Sequence, residues 1–162
     1  MQKSNFGKSL FLFLGIMLFL TSTAFAGVSA DSCDYYSEIE AKFKCGPDGY
    51  VQTFANPYCH AYLKNSNRFS SKAKIILRDI RYCLQKVLND HSNGMTCQEL
   101  QKYGIASHET CYVANGYCDL QGTDLLNVYW IARYEAFNPE IWDMLARVEY
   151  QCSSLRRDWF TR

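Results

Sequence analysis

The chain has 162 residues, with 17 lysines and arginines against 16 aspartates and glutamates, and 48% of its residues are hydrophobic. A charge this close to balance gives no basic excess of the kind that holds nucleic acid or an anionic membrane surface. An aromatic share of 15% with only three prolines argues for a packed globule.

The first element reads as a leader. Lys3 and Lys8 precede an apolar run over residues 10–20, and Ala24-Phe25-Ala26 precedes Gly27, which is the layout of a secretory signal peptide over residues 1–26. Cleavage is expected after Ala26, with Val28-Ser29-Ala30 as an alternative site. The run is short for a bilayer span, and no other stretch approaches the roughly 20 apolar residues a spanning helix needs, so no stable membrane insertion is expected. Removing the leader leaves 162 − 26 = 136 residues, one domain over 27–162, with a charge of 15 − 16 = −1 because the leader holds two lysines and no acid. The expected location is extracellular, or periplasmic in a bacterium.

All eight cysteines follow the leader, and an even count in an exported chain points to disulfides. There is no CxxC pair, and His60, His91 and His108 do not repeat at ligand spacing, so neither zinc nor any other cofactor is expected.

In chain order, residues 31–43 place Tyr36, Ile39 and Phe43 at helical spacing, and Cys45-Gly46-Pro47-Asp48-Gly49 is turn chemistry. Asn56-Pro57 reads as a second break before Cys59. Ser70 or Ser71 caps a helix whose apolar positions Ile76, Ile80, Cys83, Leu84, Val87 and Leu88 recur at steps of three and four, ending before Asn93-Gly94. Thr96-Cys97-Gln98-Glu99 is a capping box; a short helix is expected to run to Tyr103 and end at Gly104, with another starting at Ser107.

Thr123 is read as the cap of a further helix through Leu125, Tyr129 and Ile131. Asn138-Pro139 opens the last helix, with Ile141, Leu145, Val148, Cys152 and Leu155 on one stripe. No segment alternates with period two for long enough to argue a sheet. The predicted fold is all-α, a small disulfide-stapled domain of about five helices. Trp130 and Trp142 are assigned to the core and Trp159 to the surface or tail.

The cysteine frame carries a resemblance. Cys59 and Cys83 have 23 residues between them, Cys97 and Cys111 have 13, Cys111 and Cys118 have six, and Cys118 and Cys152 have 33. This ordered set, with the DIRYCLQKVL helix, the ETCY turn and the late NPEIWDMLARVEYQC helix, resembles the stanniocalcins, secreted disulfide-rich helical hormones. The likeness covers about Cys33 to Cys152. Spacing alone leaves the pairing open, but the resemblance implies Cys33 with Cys59, Cys45 with Cys97, Cys83 with Cys111, and Cys118 with Cys152.

The resemblance further implies a non-enzymatic, hormone-like regulator that acts by binding another protein, with calcium and phosphate balance or a secreted protease as the associated roles. No cysteine follows Cys152 to link two chains, and no Asn-x-Ser/Thr sequon is present. Both departures set the chain apart from the family, and the first argues against a disulfide-linked dimer. A noncovalent homodimer through Trp142 and the Trp159-Phe160 tail stays open.

One motif points elsewhere. Ser107-His108-Glu109-Thr110-Cys111-Tyr112 resembles the His-Asp-x-Cys-Tyr helix of secreted phospholipases A2, which would make His108 the base that activates water and Glu109 a calcium ligand. The glycine-rich calcium loop and the paired cysteines of those enzymes are missing. Asp48, Glu99, Glu109 and Asp119 are scattered acids without EF-hand spacing, read as solvated surface groups. His60, beside Cys59, has no nameable partner.

Overall fold

The computed structural model describes residues 27–135 and 137–160, with the backbone alone for 155–160. The expected leader, and the side chains of Leu155, Trp159 and Phe160, lie outside what it describes. Six α-helices and no strand occur among the described residues: α1 (Asp34–Phe43), α2 (Asn56–Lys64), α3 (Ser71–His91), α4 (Cys97–Ala114), α5 (Gly122–Ala132) and α6 (Pro139–Phe160). Short 3-10 turns Ser66–Arg68, Tyr117–Asp119 and Arg133–Glu135 join them. No described helix is long and apolar enough to cross a membrane.

Local chemistry sets the helix ends. Ser70 accepts from the Ala73 amide at the start of α3. At the start of α4, Thr96 Oγ1 accepts from the Glu99 amide while the Glu99 carboxylate accepts from the Thr96 amide at 2.8 Å, satisfying two donors that a helix start otherwise leaves open. Asn138 Oδ1 accepts from the Glu140 amide at the mouth of α6. The start of α5 differs: it begins at Gly122, and Thr123 lies inside it rather than capping it.

Two expected breaks are continuous helix. Asn56-Pro57 does not interrupt the chain, because proline is tolerated in the first turn of a helix, where an amide has no intrahelical partner anyway. Ahead of it runs a five-residue π-helical turn, Val51–Ala55, that feeds into α2. Gly104 does not end α4 either; it is buried within one helix running to Ala114. Its missing side chain makes room for the ring of Tyr50.

α4 packs between α3 and α6. On α6 the buried face is Ile141, Met144, Val148 and Cys152, each large apolar side chain contributing roughly 1.5–3 kcal/mol by leaving water. Met144 completes the stripe read from the sequence. Four disulfides pin the helices: Cys33–Cys59, Cys45–Cys97, Cys83–Cys111 and Cys118–Cys152. They are the four pairs that the resemblance implies.

The amino-terminal residues are strapped to α3. Gln85, fully buried, accepts from the Ser29 amide and donates to the carbonyls of Ser29 (2.8 Å) and Ser32 (2.9 Å). Arg81 Nε donates to the Ala30 carbonyl at 2.6 Å, and Arg78 pairs with Asp31 at 3.1 Å.

Candidate functional site

Two places gather chemistry, one inside the domain and one on it. Inside, the π turn and α2 set Tyr50, Phe54, Tyr58 and Tyr62 at every fourth residue, facing His108 and Tyr112 of α4, Tyr36 of α1 and Arg81 of α3 around a cavity of about 70 Å³. The rings run in contact: Tyr50 to Phe54 at 5.9 Å, Phe54 to His108 at 5.6 Å, His108 to Tyr112 at 5.5 Å. These are the separations at which aromatic pairs attract.

His108 is buried in this row. Its Nδ1 lies 2.8 Å from the Gly104 carbonyl oxygen, and because a carbonyl only accepts, Nδ1 carries the proton. Desolvation outweighs its backbone hydrogen bonds and pushes its pKa down to about 4, so the ring is neutral at neutral pH. Burial pushes the Tyr112 hydroxyl up to about 12. At Tyr58, burial followed by its bond to Glu135 Oε1, at 2.8 Å, raises the phenol well above its usual range. The cavity has room for about two waters and is well short of the roughly 300–1,000 Å³ of a site for a drug-sized molecule.

The remaining candidate residues are dispersed. Glu109 is not turned toward a common site with His108: it pairs with Arg147 at 2.9 Å and accepts from Gln151. Glu99 belongs to the capping box, Asp119 pairs with Lys72 at 3.4 Å, and Asp48 and His60 are exposed. Among the described residues no group of three or more His, Cys, Asp or Glu is placed to hold a metal ion. The eight cysteines are all in disulfides.

The second place centres on Trp130, one of the two tryptophans assigned to the core. Trp130 is 41% exposed and Trp142 is 50% exposed. The inward face of α5 is Val128 and Ile131, and Trp130 falls off that line, as Trp142 falls off the Ile141–Val148 line of α6. The guanidinium carbons of Arg68 and Arg133 stand 4.1 and 4.0 Å from the Trp130 ring centroid, and Arg133 also covers Tyr134 at 4.2 Å. Tyr134 is 75% and Phe137 97% exposed.

Beside these rings runs an open groove of about 450 Å³ between α2 and α5, where Pro57, Ala61 and Ile131 give apolar lining and Lys64 and Arg133 give charge. A helix periodicity plot restricted to aliphatic residues is the signal that would have turned both tryptophans outward. Compared with known protein families, curated proteins and solved structures, the chain matches none.

Proposed function

We propose that this chain is an exported, stanniocalcin-like helical module that works by binding another protein, as a regulator rather than a catalyst. The observation that carries this reading is the run of exposed rings Trp130, Tyr134 and Phe137 on a scaffold held by four disulfides. Single exposed apolar residues are ordinary, whereas a contiguous group of Trp, Tyr and Arg has the composition that dominates interface energetics. Rigidity adds to this, since an ordered surface loses less entropy on docking. The all-helical fold and the cysteine pairs support the stanniocalcin-like part of the reading.

The test is photo-crosslinking. Phe137→benzoylphenylalanine should give a discrete protein adduct in the fluid into which the chain is exported, and Ile75→benzoylphenylalanine, on exposed α3, should not. Equal labelling at the two positions, or none at Phe137, removes the proposal. Calcium-dependent fatty-acid release from phosphatidylcholine vesicles that His108→Gln abolishes would instead establish the phospholipase-type chemistry.

A further inference from the structure

We infer that the groove between α2 and α5 receives an acidic peptide segment of the partner, its carboxylates on Arg68, Arg133 and Lys64 and one apolar side chain in the cleft. This rests on the protein-binding reading above.

Charge makes the first argument. Lys72, Arg78, Lys86 and Arg147 each face a carboxylate within 4 Å. Lys64, Arg68 and Arg133 have no carboxylate partner among the described residues, as is true also of Lys42, Lys44, Lys74, Arg81 and Lys102; what sets them apart is position, since all three are exposed, Lys64 and Arg133 line the groove, and Arg68 stacks on the Trp130 ring that lines it. The one acid lining the groove, Glu135, accepts from the Tyr58 hydroxyl and the Asn138 side chain, and its single negative charge is outnumbered by Lys64, Arg68 and Arg133. Arg68 and Arg133 both stack on one indole, which brings two like charges to the same ring, and a nearby anion offsets their repulsion.

Geometry makes the second. Ring stacking and the bonds from Arg133 to the Trp130 carbonyl and the Tyr134 hydroxyl hold that guanidinium in place, and a planar fork held in advance is suited to a carboxylate. The lining from Pro57, Ala61 and Ile131 offers a place for an aliphatic or aromatic side chain, which a sulfated glycan lacks. A second copy of this chain docking groove to groove would set these cations against one another, which disfavours a homodimer through this face.

The test uses the intact, disulfide-bonded protein as bait for a displayed library of short random peptides, with Arg68→Gln/Arg133→Gln as counter-bait. Both arginines are exposed, so the variant keeps the fold. The expected outcome is enrichment of Asp and Glu around one Phe, Leu or Trp, with binding at least about tenfold weaker to the variant and weakened by salt. In a Trp142→Phe/Trp159→Phe background, Trp130 is the sole tryptophan, and its emission should shift on binding. A neutral or basic consensus, no enrichment, or equal binding to the variant overturns the inference. So does arginine-dependent binding of a heparin-type oligosaccharide or phosphatidylserine vesicles in place of peptide. A crosslink at Phe137 together with any of these results would leave the protein-binding reading standing and remove only this one.

Discussion

The ring of Tyr50 rests on the backbone of Gly104: a Cβ at that glycine would stand 2.4 Å from Cζ and 2.6 Å from the hydroxyl oxygen of Tyr50. Tyr50 is buried and stacked on Phe54, so moving its ring away from Gly104 disturbs the aromatic row around the cavity. In an open helix Gly→Ala gains up to about 1 kcal/mol. Here overpacking wins: Gly104→Ala should lower stability by about 1–3 kcal/mol, read from the urea midpoint at constant slope.

His108 gives a pH dependence of defined sign. Its folded pKa of about 4 lies below the ordinary 6.5, so the unfolded chain binds the extra proton. Its contribution is therefore full above pH 6.5 and is lost as pH falls from 6.5 toward 4, a difference on the order of 3 kcal/mol. Subtracting the pH profile of His108→Gln from that of the native protein removes the carboxylates common to both. A flat difference would mean that the ring is reached by water. The same ring should hold its neutral NMR shift as the pH is lowered to about 5.

Gln85 should prove to be the anchor of the amino terminus. Gln85→Glu keeps an acceptor for the Ser29 amide but presents no donor to the Ser29 and Ser32 carbonyls. Leaving buried partners unsatisfied costs about 1–3 kcal/mol, and amide exchange across residues 29–32 should accelerate. For the same reason a chain beginning at Asp31 should be less stable than one beginning at Gly27. Equal melting of the two forms would contradict the strap's role.

The Cys118–Cys152 bridge joins the Tyr117–Asp119 turn to α6 across 34 positions. Replacing both cysteines by alanine should cost about 2–5 kcal/mol and free the α6 end first, visible as proteolysis beyond Val148. Phe137→Ser, in contrast, should change stability by less than about 0.5 kcal/mol, because nothing is exposed by removing a side chain already in water.

The parts of the fold legible in the sequence are those written in local chemistry. Ser70, the Thr96–Glu99 box and the Ile76–Leu88 spacing mark α3 and α4 without reference to anything distant. Gly104 misled because its local meaning, a helix stop, is overruled by Tyr50 from 54 positions away. Trp130 misled because size suggests the core, while its angular position on α5 and two arginines from separate elements keep it at the surface. The aromatic cavity was invisible for a related reason: its rings come from α1, the π turn, α2, α4 and α5, and only folding brings them together.

The π turn over Val51–Ala55 makes chain length itself a constraint. Its wider winding lets Tyr50 and Phe54 keep step with Tyr58 and Tyr62. A lost residue can be taken up by rewinding this turn as ordinary α-helix, but an added one would turn everything before it by about 100° relative to α2, taking Tyr50 off Gly104 and pulling the chain between Cys33 and Cys59 out of phase. With Val51 and Ala55 buried and Phe54 in the aromatic row, this segment is constrained in residue type as well as in length.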